Sequence, residues 1–152
     1  MSARPSITVA AVIERGGKFL LVEEEDEGRI LFNQPAGHLE QRESLVEGCR
    51  REVLEESAWH FRPRELVGIY RWGKPRPAGE AELSYLRFAF CGELGEHEPE
   101  RTLDTGIVRA VWLDLDQIRA TRECHRSPLV LRCIEDYLAG RRYALELLTD
   151  YA

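Results

Sequence analysis

The alternation of apolar and polar residues predicts several strands. Residues Ile7 to Val12 and Lys18 to Val22 have the composition of two strands joined through Gly16-Gly17, a dipeptide that supplies the positive φ of a hairpin turn. A short strand follows in "ILFNQPAG", where Pro35 and Gly37 end it. Later in the chain, "ELVGIYRW", "LSYLRFAFCGEL" and "IVRAVWLDL" show the same strand pattern.

The period changes to that of a helix from Glu43 onward. Its apolar residues recur at i, i+3 and i+7 and form a stripe suited to packing on a sheet: Val46, Cys49 and Val53. Ser44 followed by Glu47 has the form of a capping box, which satisfies the first free amides of a helix. The pattern therefore predicts a helix from about Leu45 to Ser57.

Two further helices are predicted near the C-terminus. The segment "LDQIRATR" forms a short one, and "SPLVLRCIEDYLAG" starts at Ser127-Pro128 and stops at Gly140. Strands and helices are mixed without strict βαβ alternation, which favours an α+β or layered αβα arrangement over a doubly wound sheet. A chain of 152 residues is the size of one domain, so residues 1–152 are predicted to fold as a single unit.

Composition narrows the class of protein. Hydrophobic residues make up 43% and charged residues 32%, as in ordinary globular proteins. There is no apolar run of about 18 residues, and the first residues become charged too soon for a signal peptide, so we expect a cytoplasmic protein without a membrane partner. A net charge of −6 argues against nucleic-acid binding through a basic surface.

The predicted first helix carries an unusual concentration of negative charge. At about 100° per residue, Glu52, Glu55 and Glu56 fall within one arc beside the apolar stripe. Carboxylates packed this closely raise one another's pKa or recruit a cation, and oxygen ligands select hard ions such as Mg²⁺, Mn²⁺ or Ca²⁺. The alternative is a solvated acidic face, in which Arg50 and Arg51 pair with neighbouring glutamates. Those pairs give Glu52 and Glu56 little compensation.

The spacing of these residues favours the metal site. Gly37, Glu43 and the run "REVLEE" from Arg51 to Glu56 stand at the offsets of the Nudix box, the loop-helix motif of Nudix hydrolases, which this chain resembles over nearly its whole length. Two positions depart from the motif. Ala58 stands where the family usually has Gly, which suits a left-handed helix stop, and Trp59 replaces an aliphatic residue.

The resemblance implies a fold and a metal site. The fold is an αβα sandwich with a mixed central sheet and the box loop-helix on one side. The implied site holds Mg²⁺ or Mn²⁺ through three glutamates and a backbone carbonyl: Glu52, Glu55, Glu56 and the carbonyl of Gly37. Glu52 is the first candidate for general base, and a loop acid, Asp104 or Glu100, is the alternative. The implied role of Arg51 and Glu43 is to tie the loop to the helix and orient the ligands.

The resemblance also implies the reaction, hydrolysis of a phosphoanhydride bond in a small molecule by a monomer or homodimer. The members that this chain resembles act on nucleoside tri- and diphosphates and on the diphosphate of the thiamine pyrimidine precursor, with release of orthophosphate. Two alternatives stay open. One is a pyrophosphatase for nucleotide sugars or dinucleoside polyphosphates, and the other is a nucleotide sensor without activity.

Residues that contact the substrate are less defined by sequence. Arg29 lies just before the strand that leads to the box and is a candidate for a bidentate contact with a terminal phosphate. Tyr70, Trp72 and Phe32 are candidates for stacking on a base, although aromatic residues in strands usually belong to the core. Trp112 is assigned to the core.

Overall fold

The computed structural model describes residues 4–151, which form nine strands and three α-helices. The predicted domain of residues 1–152 also includes residues 1–3 and 152, which lie outside the described residues. The strands are β1 (Ser6–Ala11), β2 (Glu14–Arg15), β3 (Lys18–Asp26), β4 (Arg29–Asn33), β5 (Ala36–His38), β6 (Trp59–Lys74), β7 (Leu83–His97), β8 (Ile107–Asp114) and β9 (Tyr143–Ala144). The helices are α1 (Leu45–Ser57), α2 (Leu115–Ala120) and α3 (Leu129–Leu138).

The strands form two sheets. The first has the order β5-β1-β7-β6-β9, and it is mixed because β1 runs parallel to β7 while its other pairs are antiparallel. In the second, β3 pairs antiparallel with β2, β4 and β8. The predicted α+β class and mixed sheet are confirmed. The second sheet was not predicted, because alternation within a strand does not identify the strand beside it.

Helices cover both faces of the sheets. On one face, Cys49 and Val53 of α1 pack with Phe90 of β7. On the other face, Val130 and Ile134 of α3 pack with Ala89, which precedes Phe90 in β7. Successive strand residues point to opposite faces, so β7 contributes to both cores. This is the predicted layered arrangement. Within residues 4–151, no helix combines the length and apolar character needed to cross a membrane.

Helix α1 has the ends that the sequence indicates. Ser44 and Glu47 form both halves of the capping box. At the other end Ala58 adopts a left-handed conformation, with φ 63°, and its N–H donates to the carbonyl of Leu54. The side chain of Trp59 stacks on His97 with ring centroids 4.5 Å apart. Alanine in this conformation costs about 1 kcal/mol relative to glycine, and the helix nevertheless stops where the family motif stops it.

The long hairpin of β6 and β7 differs from its prediction. Strand β6 begins at Trp59, well before the segment "ELVGIYRW" that predicted it, whereas β7 ends at His97, only slightly beyond "LSYLRFAFCGEL". The added part of β6 contributes the buried Phe61 to the core and has a register shift between Pro63 and Glu65. Pro63, which cannot donate a backbone hydrogen bond, argued against a strand in this part of the sequence.

Candidate active site

The acidic residues of α1 lie at the margin of the core, beside strand β5. Glu52 and Glu56 are one helical turn apart and only 7% and 8% exposed, while Glu55 is half-buried. The N–H of Ala36 donates to Oε1 of Glu56 at 2.9 Å, which fixes that carboxylate against the strand. The apolar stripe of α1 docks on the sheet and thereby brings its acidic neighbours to β5.

Gly37 makes the closest approach to Glu52. A Cβ placed on Gly37 would lie 2.2 Å from Cδ of Glu52, far inside contact distance. Gly37 lies within β5 and its φ is outside the left-handed region, so the requirement for glycine is one of space. The missing side chain leaves the backbone of Gly37 directly beside the Glu52 carboxylate.

Arg51 connects the box loop to the carboxylates. Its guanidinium donates to both oxygens of Glu43, at 2.6 and 2.9 Å, which is the bidentate geometry that arginine favours. It also donates to Glu52 at 2.6 Å and to Glu55 at 2.9 Å. A further N–H donates to the carbonyl of His38 at 3.0 Å, next to Gly37. One side chain therefore orients the loop, the strand and two acidic residues together.

A cluster of carboxylates is suited to a metal ion. Glu52, Glu55 and Asp104 each offer an oxygen, and these oxygens lie within 4.8 Å of one another. The N–H of Asp104 donates to the carbonyl of Glu55 at 3.0 Å, which brings this loop residue to the end of α1. Glu56 lies outside this group, and Glu100 is exposed and also outside it. An all-oxygen donor set fits a hard divalent cation.

The electrostatics of the site are those of a cluster short of positive charge. Burial, helped by the charges of Glu52, Glu24 and Asp104, raises the pKa of Glu56 to about 9 against the opposing effect of the hydrogen bond from Ala36. Burial also raises the pKa of Glu52, against the opposing effect of Arg51. Arg51 holds the pKa of Glu43 below its usual value through the hydrogen bonds. A divalent cation would lower these raised pKa values by favouring the ionised carboxylates.

A cavity of about 290 Å³ opens beside Glu56. Its wall includes residues from six strands, from the turn before α3 and from the first residue of α3: Thr8, Glu24, Asn33, Ala36, Gly37, His38, Trp72, Lys74, Tyr85, Arg87, Arg126, Ser127 and Leu129. The rings of Trp72 and Tyr85 are stacked with centroids 5.7 Å apart and an interplanar angle of 20°. The cavity thus places flat aromatic surface and polar groups next to the acidic helix.

The structure separates the residues that sequence proposed for substrate contact. Trp72 lines the cavity, whereas Tyr70 and Arg29 do not. Tyr70 donates its hydroxyl to the buried Asp136 at 2.7 Å and thereby links β6 to α3. Arg29 is exposed at the start of β4, and Phe32 packs against the core.

Several cavity residues were missed in the sequence. Arg87 is only 6% exposed and donates to Gln34 at 2.7 Å and to Asn33 at 3.0 Å. Asn33 in turn donates to Glu24 at 3.1 Å. The available signal was a charged residue within the apolar run "LRFAF" and the polar pair "NQ" at the end of a strand. Arg126, which precedes the predicted helix start at Ser127-Pro128, also lines the cavity.

Comparisons with known proteins agree with this geometry. A model of the NUDIX domain matches residues 3–132. Phosphatase NudJ of Escherichia coli K12 is 38% identical over 148 residues, which cover 97% of this chain and 93% of that protein. A NUDIX hydrolase from Nitrosomonas europaea is 53% identical, with a TM-score of 0.91 over 97% of this chain and 98% of that one. A UDP-X diphosphatase shares the fold alone, at 20% identity and a TM-score of 0.70 over 95% of this chain and 68% of that one. The chain therefore belongs to the Nudix hydrolase family.

Proposed function

We propose that this Nudix hydrolase cleaves nucleoside tri- and diphosphates in a reaction that depends on Mg²⁺, with Mn²⁺ as a substitute, and releases orthophosphate. The diphosphate of the thiamine pyrimidine precursor is a further proposed substrate. The observation that carries the proposal is the group of carboxylate oxygens from Glu52, Glu55 and Asp104, which lies beside Gly37 and near a cavity with aromatic walls. The similarity to phosphatase NudJ supports the release of orthophosphate.

The proposed metal ligands are the box residues. Glu52 and Glu55 would hold the ion together with Glu56 and the carbonyl of Gly37, and Asp104 would add a carboxylate from its loop. Glu56 uses one oxygen to accept from Ala36, which leaves its second oxygen for the ion. When bound, the ion neutralises phosphate charge and makes phosphorus more electrophilic.

The protein's own residues position the reaction. In this proposal Glu52 takes a proton from the attacking water, whose oxygen forms the new bond to phosphorus as the bridging P–O bond breaks. The departing phosphate oxygen keeps the electron pair. Arg51 holds Glu52 by a 2.6 Å hydrogen bond and is itself held by Glu43. Asp104 is the alternative base, because it lies within the same carboxylate group.

The cavity is of a size that accepts a small organic group. Its volume of 290 Å³ lies at the lower end of the range of about 300–1,000 Å³ that is common for ligand pockets. A second cavity of about 600 Å³ shares Trp72, Lys74, Arg126 and Ser127 with it, so volume does not distinguish one base from the two organic groups of a dinucleoside polyphosphate. A pyrophosphatase for nucleotide sugars or dinucleoside polyphosphates is the second candidate function. A UDP-X diphosphatase has the same fold, and the substrate panel below includes compounds of both kinds. Cytoplasmic location and a monomeric or homodimeric state stay predictions.

The decisive experiment is a substrate panel assayed with Mg²⁺ and with EDTA. The panel contains nucleoside di- and triphosphates, the thiamine-precursor pyrimidine diphosphate, nucleotide sugars and dinucleoside polyphosphates, with orthophosphate and pyrophosphate measured separately. We expect orthophosphate from the first two groups and none in EDTA. Cleavage confined to nucleotide sugars or dinucleoside polyphosphates would favour the second candidate. Absence of product from every compound would contradict hydrolysis.

A further inference from the structure

A chain of hydrogen bonds ends at Glu24 in the wall of the cavity. Arg87 donates one N–H to Oε1 of Gln34 and another to Oδ1 of Asn33, and Asn33 donates from Nδ2 to Oε1 of Glu24. Gln34 donates from Nε2 to the carbonyl of Val130 at 2.7 Å. Because arginine has donors only, it fixes the orientation of both amides. The Asn33 amide therefore always presents a donor to Glu24.

The second oxygen of Glu24 is available to a ligand. Its Oε2 lies 3.8 Å from a guanidinium nitrogen of Arg126, which is too far for a hydrogen bond. That guanidinium instead donates to Asp26 at 3.0 Å. Among residues 4–151, no side chain or amide donates a hydrogen bond to Oε2 of Glu24. The cavity wall thus contains an anchored carboxyl group with one open acceptor.

A flat surface lies in the same cavity. Trp72 and Tyr85 are stacked with an interplanar angle of 20° and both line the cavity, as Glu24 does. An aromatic face stacks on a base whatever donors and acceptors the edge of that base carries. Discrimination between bases must then come from polar groups at the cavity wall, where Glu24 offers an acceptor.

We propose that Glu24 accepts a hydrogen bond from an amino group on the heterocycle of the substrate, and that the enzyme prefers amino-pyrimidines to oxo-pyrimidines. This inference rests on the proposed function, since it concerns the organic group of the same substrate. An amino group at C4 donates to Oε2. An oxo group at that position places two acceptors face to face and leaves Oε2 of this partly buried carboxyl without a donor, which sites of this kind reject.

CTP and UTP test the proposal because they differ at C4 and N3 of one ring. With Mg²⁺, we expect the wild-type kcat/KM for CTP to exceed that for UTP by about 10-fold or more. In the Glu24→Gln variant, Asn33 still donates to the side-chain oxygen, so the amide nitrogen replaces Oε2. The cavity then presents a donor to the ring, and the ratio should fall by about 10-fold or invert toward UTP.

Glu23→Gln is the matched control. Glu23 precedes Glu24 in β3, pairs with Arg109 at 2.9 Å and does not line the cavity. We expect this variant to keep the wild-type ratio, and melting temperatures establish that both variants fold. A wild-type preference for UTP, or a ratio in Glu24→Gln that stays within about twofold of wild type, would overturn the proposal.

Binding measurements separate this inference from the proposed function. Calorimetry with CMP and UMP reports the same preference without any hydrolysis. If the protein binds CMP more tightly and Glu24→Gln reverses the order, the role of Glu24 stands even where no triphosphate is cleaved. If triphosphates are cleaved but neither the binding order nor the kinetic ratio responds to Glu24→Gln, the role of Glu24 is overturned and the hydrolase assignment stands.

Discussion

The contact between Gly37 and Glu52 shows how one missing side chain shapes the site. The backbone of Gly37 lies where only hydrogen fits, because any Cβ would meet the carboxylate of Glu52 at 2.2 to 2.4 Å. The opposing atoms belong to a side chain, which can move, and the backbone conformation at Gly37 suits other residues. The cost of a larger residue here should therefore fall on the position of Glu52 more than on the fold.

Gly37→Ala tests this view of the residue. We expect the variant to fold, to bind Mg²⁺ about 10-fold to 100-fold more weakly than wild type, and to lose activity in proportion, because Glu52 is displaced. Calorimetric titration with Mg²⁺ measures the affinity. In a Glu52→Ala background, where the opposing carboxylate is absent, Gly37→Ala should have almost no further effect. An equal loss of affinity in both backgrounds would show that the clash with Glu52 is unimportant.

Individual residues of the candidate site differ in how well the sequence predicted their positions. The spacing from Gly37 to Glu56 predicted which acidic residues lie together, because residues on one helix have a fixed geometry. Arg87 and Asn33 were not identified because their positions depend on contacts between distant strands, and the hydrogen bond of Tyr70 could not be predicted for the same reason. The partner of Tyr70 is Asp136, which is 66 positions away in the chain.

At the scale of elements, Arg51 joins α1 to the box loop and to β5. Its contacts with Glu43, Glu52, Glu55 and the carbonyl of His38 use the planar, forked arrangement of the guanidinium. A lysine ammonium has its three donors on one nitrogen and cannot reproduce the planar fork, in which three nitrogens of Arg51 share these contacts. The loop and the helix would then lose their common anchor while the helix itself, capped by Ser44, stays formed.

Arg51→Lys should therefore lower kcat by about 10-fold to 100-fold and leave the helical content unchanged. Steady-state kinetics and circular dichroism measure the two effects. Arg50→Lys is the control, because Arg50 is exposed on the same helix and makes no side-chain hydrogen bond or ion pair within residues 4–151. Equal activity in the two variants would contradict the role of Arg51 in anchoring the box loop and β5 to α1.

The arrangement of elements was predictable only in part. Helix α1 was located from its period and its capping box, and the structure bears out both. The two-residue strand β9 is too short to show an apolar pattern, and the patterns that predicted β3 and β8 do not reveal that these two strands pair. Their positions depend on backbone hydrogen bonds to partners far along the chain.

At the scale of the whole molecule, the buried acidic site makes stability depend on pH and metal. The folded-state pKa of Glu56 is raised from 4.5 to about 9, so the folded protein holds a proton there that the unfolded chain releases. Stability from this group is fully present below about pH 4.5, and it is lost as pH rises from there toward pH 9. Mg²⁺ favours the ionised carboxylates, so bound Mg²⁺ should offset the stability that the folded protein loses as pH rises.

We therefore expect the melting temperature in EDTA to fall between pH 6 and about pH 9, and Mg²⁺ to raise it most at the alkaline end. Thermal unfolding followed by circular dichroism gives both curves. Glu56→Gln, which cannot ionise, should flatten the curve measured in EDTA. A fall of the same steepness in Glu56→Gln would assign the pH dependence to other groups.

The central claim is that the carboxylates of α1 perform metal-dependent hydrolysis, and the Glu52→Gln variant tests it most directly. The measurement is Mg²⁺-dependent orthophosphate release from CTP by wild type and variant, with equal folding verified by circular dichroism. We predict that Glu52→Gln retains its fold and loses about 10²-fold to 10⁴-fold in kcat, because its side chain can neither accept the proton nor hold the ion as a carboxylate does. Turnover equal to that of wild type, or wild-type turnover that persists in EDTA, would contradict the account.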